Sequence, residues 1–122
     1  MIESSLDINK SILYVRPKSA LSAKDFLQLA KTVDPFIESI GALAGLIIET
    51  PSFPGWDSLA GMVAHFRFVH DHHKKIKRIA LVTDSSVAGI AERFAPHFIA
   101  AEIKHFASGD VQAAEQWVSS GN

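Results

Sequence analysis

Cysteine is absent from all 122 residues, which excludes disulfides, thiol nucleophiles and thiolate metal sites. That absence fits a reducing compartment, and a cytoplasmic location is expected. No apolar run approaches the ~18 residues of a membrane span. The opening Met1-Ile2-Glu3-Ser4-Ser5-Leu6-Asp7 has neither the basic nor the apolar region of a signal peptide. Neither standard secretion nor integral membrane association is therefore expected. Charge of one sign is also scarce: 12 Lys and Arg stand against 13 Asp and Glu, a formal net charge of −1 that gives no broad positive field for nucleic acid. Glycine-rich phosphate loops, nucleophile elbows, Ser-His-Asp spacing and His-Glu-x-x-His pairs are missing as well, so neither an enzyme nor a cofactor is expected.

What is present is a chain that is 48% hydrophobic and 20% charged, ordinary for a globular protein and long enough to bury a core as one domain over residues 1–122. Ser11-Ile12-Leu13-Tyr14-Val15-Arg16 reads as a strand, and the turn chemistry of Asp7-Ile8-Asn9-Lys10 folds residues 2–8 back as an antiparallel partner. Ser22-Ala23-Lys24-Asp25 has the form of a capping box, and Phe26, Leu29, Ala30, Val33, Ile37 and Ile40 follow at helical spacing, with Gly41 as the stop. Pro35 falls inside this pattern, where its missing amide is expected to kink the helix or split it after Asp34.

The runs Ala44–Glu49 and Ile79–Val82 are apolar on both alternating faces, as in strands covered by helices. Between them Asp57 is placed to cap a helix whose Leu59, Met62, Val63, Phe66, Val69 and His73 form one stripe. A short helix is expected from Ser85-Ser86 through Phe94, stopped by Pro96. A strand over Ala100–Phe106 and a last helix burying Val111, Ala114, Trp117 and Val118 complete the chain. Helix-containing connections enforce parallel pairing, so the expected fold is α/β: a mixed, mostly parallel sheet of four or five strands flanked by helices, with an N-terminal antiparallel hairpin.

The candidate site is the loop Phe53-Pro54-Gly55-Trp56-Asp57, which leaves the carboxyl end of a central strand, where ligands and partners usually meet such sheets. Trp56 offers a large apolar area with one donor, Asp57 a carboxylate, and Ser58 a hydroxyl at a helix start. Asp84, at the end of the next strand, is grouped with them, and Glu49, Asp57 and Asp84 are the carboxylates that neighbouring strand ends could bring together. Phe68 falls opposite the apolar stripe on a face shared with Gly61, His65 and His72; that second face can meet another helix of the chain, a ligand or another subunit, and self-association as a homodimer is slightly favoured over packing within the chain. His65, His70, His72 and His73 crowd one helix, but their pairs stand on two different faces, and no metal is expected. The basic run Lys74-Lys75-Ile76-Lys77-Arg78 reads as a solvated helix end favoured by the helix dipole.

The segments Phe53-Pro54-Gly55-Trp56-Asp57, Arg78-Ile79-Ala80-Leu81-Val82-Thr83-Asp84 and Ala101-Glu102-Ile103-Lys104-His105-Phe106, followed by Ala114 and Trp117, resemble the SpoIIAA-like proteins over nearly the whole chain. The resemblance implies a fold related to STAS and CRAL-TRIO domains and little chemistry. In the anti-sigma factor antagonist branch it implies a phosphorylated serine in an Asp-Ser-Ser-Gly element. Here that element is matched by Asp57-Ser58-Leu59-Ala60-Gly61, in which only the Asp-Ser pair and a later glycine agree. The expected function is a small non-enzymatic binding or regulatory module that engages a protein partner, or a small apolar or anionic ligand, through the loop after the central strand. The alternatives are a phosphorylation-switched antagonist working through Ser58 and a carrier of lipid or another apolar ligand.

Overall fold

The computed structural model describes residues 1–86 and 99–120. Among these, β1 (Ile2–Asp7), β2 (Ile12–Pro17), β3 (Leu43–Glu49), β4 (Ile76–Val82) and β5 (Glu102–Phe106) form one sheet in the order β1-β2-β3-β4-β5. β1 runs antiparallel to β2, and the other three pairings are parallel. This is the expected hairpin followed by a parallel sheet. The order never reverses, so the crevice that a reversal opens at the strand ends of doubly wound sheets does not arise here.

Helix α1 (Ala23–Ile40) starts where the capping box places it: Ser22 Oγ accepts from the Asp25 amide at 3.2 Å, and the Asp25 carboxylate accepts from the Ser22 amide at 2.9 Å. It buries Phe26, Leu29, Val33 and Ile37, one side chain per turn. Pro35 does not split it; the helix runs through to Gly41, whose φ of 94° closes it in a left-handed conformation suited to glycine. α2 spans Leu59–His72 and passes through a single 3-10 turn, His73–Lys75, into β4. The short helix expected between Ser85 and Phe94, with its stop at Pro96, falls almost wholly on residues 87–98, outside the described residues.

The two faces of the sheet carry separate cores. On one, Leu13, Val15, Leu46 and Ile79 pack with Phe26 and Leu29 of α1 and Phe68 of α2. On the other, Ile12, Ile47, Ala80 and Val82 meet Ala114 and Val118 of α3 (Val111–Ser120). Arg78 fastens α3 to the sheet: its Nη1 donates to the Trp117 carbonyl at 2.5 Å and to Ser120 Oγ at 3.0 Å, and its guanidinium lies 4.8 Å from the centre of the Trp117 ring. The last cation of the basic run is thus occupied within the fold rather than presented to solvent.

Candidate functional site

The loop after β3 is held in place through its backbone. Leu21, just ahead of α1, donates its amide to the Gly55 carbonyl at 2.8 Å and accepts at its own carbonyl from the Asp57 amide at 2.9 Å. This one-residue parallel bridge lays Trp56 beside Leu21. Gly55 takes a φ of 78°, a conformation in which a side chain would be strained. Trp56 then sits edge-on to Phe53, with ring centres 5.1 Å apart, and to Phe66 at 5.8 Å, while its Nε1–H donates to His65 Nδ1 at 3.1 Å. His65 stacks flat on Phe26, 4.8 Å away at 13°. An aromatic cluster therefore links the loop, α2 and α1.

Beneath this cluster lies a cavity of about 580 Å³, bounded by the loop, α2 and the sheet side chains Leu46, Ile48, Ile79 and Leu81. Its described walls are almost entirely aliphatic and aromatic, and they include no Lys, Arg, Asp or Glu. The Phe53–Asp57 loop thus borders this open, largely apolar space through Phe53 and Trp56.

The other expected residues are placed differently. Ser58, not Asp57, caps α2: Ser58 Oγ accepts from the Gly61 amide at 3.2 Å and donates to Asp57 Oδ1 at 2.9 Å. The Asp84 carboxylate accepts from both the amide and the hydroxyl of Ser108, pinning the loop between β5 and α3. Those bonds hold the Asp84 carboxyl below the usual carboxylate range. Glu49 pairs with Arg16 at 2.9 Å. The three carboxylates thus serve three separate partners.

The Phe68 face of α2 is taken up within the chain rather than left free for another subunit. Phe68 and His72 are each only 8% exposed and Gly61 is buried, whereas Leu59 and Phe66 of the expected buried stripe are 72% and 57% exposed. Helix α2 is apolar on two sides, and contact geometry selects between them. A Cβ on Gly61 would stand 2.6 Å from the Leu21 carbonyl oxygen, so this face of the helix presses directly on the start of α1. His72 stacks on Phe68 at 4.1 Å, and its two ring nitrogens meet the Phe68 carbonyl at 2.8 Å and the Asp34 carboxylate at 2.6 Å. Among the described residues no group of three or more His, Asp or Glu is arranged to hold a metal, and no helix is long and apolar enough to cross a membrane.

A family model described as SpoIIAA-like matches residues 12–119. The chain belongs to the SpoIIAA-like family. Among solved structures it is similar to an uncharacterised protein from the DUF3478 family with a SpoIIAA-like fold, from Shewanella loihica PV-4: 20% identity and a TM-score of 0.73 over 97% of this chain and 92% of that one. At that identity the likeness speaks to the fold alone. No curated protein matches the chain. In this SpoIIAA-like protein the hydroxyl of Ser58 is engaged both as donor and as acceptor.

Burial also sets a pH dependence. Removal from water lowers the pKa of His65 from its ordinary value near 6.5, and the bond it accepts from Trp56 requires Nδ1 to be unprotonated. The folded state therefore binds fewer protons at this site than the unfolded chain. The resulting stability is fully present above pH ~6.5 and is lost as pH falls below it, toward the folded pKa. Thermal melts between pH 7.5 and 5 are expected to show a falling midpoint, with a shallower fall in His65→Asn, which keeps an acceptor for Trp56 but does not titrate. Parallel curves for the two proteins would assign the acid sensitivity elsewhere.

Proposed function

We propose that this chain is a non-enzymatic binding module that takes a small apolar ligand into the cavity beneath the Phe53–Ser58 loop. The observation that carries this reading is the cavity itself. It is an open concavity of about 580 Å³ with mostly apolar walls, within the size range of ligand pockets. Its walls supply the burial that an apolar molecule gains on leaving water, at roughly 25 cal/mol per Å². The separation of Glu49, Asp57 and Asp84 onto different partners speaks against paired-carboxylate chemistry at the strand ends.

The reading is tested with N-phenyl-1-naphthylamine, an uncharged probe whose emission rises in apolar surroundings. In a Trp117→Phe background Trp56 is the sole tryptophan, so probe emission and quenching of Trp56 are expected to saturate together at one probe per chain. Emission that never saturates, or that saturates without any change in Trp56, would count against the cavity as a binding site.

A further inference from the structure

The polar atoms of the cavity specify more than an apolar occupant. Indole Nε1 and backbone amides can only donate, so a histidine nitrogen that meets one of them must accept. His65 Nδ1 receives the Trp56 indole N–H at 3.1 Å, and His73 Nδ1 receives the Ala100 amide at 2.9 Å. In each ring Nδ1 is thereby the acceptor and Nε2–H the donor, and both rings line the cavity. Neither Nε2–H has a hydrogen-bond partner among the described residues.

Of the other polar side chains in the described wall, Ser85 is engaged and the exposed His70 has its Nδ1 3.3 Å from Asp71 Oδ1. Thr50 Oγ1 donates to the Ser52 carbonyl, Thr83 Oγ1 to the Pro51 carbonyl, and His72 is held between Phe68 and Asp34. The described walls hold no lysine or arginine, so they offer an entering carboxylate no countercharge for the hydration it would lose.

Building on the proposed function, we infer that the ligand is an uncharged, largely apolar molecule bearing an acceptor oxygen, as in a ketone, ester or amide, received by the Nε2–H of His65 or His73. The hydrophobic walls hold the body of the molecule, and the two imidazoles read its oxygen.

Three near-isosteric probes separate the possibilities at pH 8: 2-acetylnaphthalene, 2-ethylnaphthalene and 2-naphthoate. Replacing His65 or His73 by Asn keeps an acceptor near the Nδ1 position but removes the donor at Nε2. Affinity for 2-acetylnaphthalene is expected to fall about tenfold in at least one of the two variants, with less than about a twofold change for 2-ethylnaphthalene, since only the ketone loses a bond. In the unmodified protein 2-naphthoate is expected to bind at least about tenfold more weakly than the ketone. Either variant can carry the test if the other does not fold. Equal changes for ketone and hydrocarbon in every folded variant, or naphthoate binding as tightly as the ketone, would overturn this inference while leaving the apolar site standing. Failure of both uncharged naphthalenes to bind the unmodified protein would remove the site as well.

Discussion

Replacing Leu81 by Trp is expected to weaken N-phenyl-1-naphthylamine binding by at least about tenfold while leaving the melting midpoint unchanged or higher. Leu81 lies on β4 in register with Ile48 of β3, and both are half-buried side chains on the floor of the cavity. A larger side chain there grows into the space that the described walls leave open. It occupies the volume a ligand would use and adds contacts that the native chain lacks. The same enlargement at the adjacent Ile47, which points to the opposite face and is wholly buried, would collide with a packed core. A probe titration and a thermal melt on Leu81→Trp distinguish these effects. Undiminished binding would place the probe elsewhere, for instance in the groove between α1 and α2 where Leu27, Leu59 and Val63 are exposed.

Gly45→Val is expected to lower stability by about 3 kcal/mol, the upper part of the range for overpacking a core. A Cβ built on Gly45 would lie 2.1 Å from Val118 Cγ1 and 3.0 Å from the Arg78 carbonyl oxygen. Gly45 is central in the sheet and Val118 is fully buried, so neither the strand nor α3 can yield without disturbing the other contacts on that face. Trimming the opposing side chain makes the claim specific: Val118→Ala should itself be destabilising, yet recover part of the loss when combined with Gly45→Val. Urea unfolding of the two single variants and the double variant measures that coupling. Strict additivity would mean that the two positions do not press on each other.

The architecture was legible because local signals agreed with one another. The Ser22–Asp25 box, the spacing of Phe26, Leu29, Val33 and Ile37, and the two doubly apolar runs each admit few structures, and their alternation leaves a mostly parallel sheet. Pro35 looked disruptive, yet the helix passes through it, supported on both sides by buried Val33 and Ile37. The buried side of helix α2 is ambiguous in sequence because Leu59, Val63 and Phe66 on one side and Phe68 on the other satisfy the same period. Periodicity could not weigh the absence of a side chain at Gly61, which lets the second side approach Leu21, or foresee His72 meeting Asp34 from 38 residues away.

The site was legible only in the loop. Trp56 stands out in sequence as a large aromatic in a loop, but its anchorage to His65 and Leu21 depends on tertiary contact. Asp84 was grouped with it by strand order, and its carboxylate accepts from Ser108. The cavity left no sequence signal of its own, since it consists of space that the side chains of Ile48, Ile79 and Leu81 do not fill.

A crystal structure of the protein grown with N-phenyl-1-naphthylamine tests the central claim most directly. One probe molecule is expected beneath Trp56, in contact with Phe68, Ile79 and the His65 ring. Probe density confined to the α1–α2 groove against Leu27 and Val63, or a cavity free of probe at saturating concentration, would contradict it.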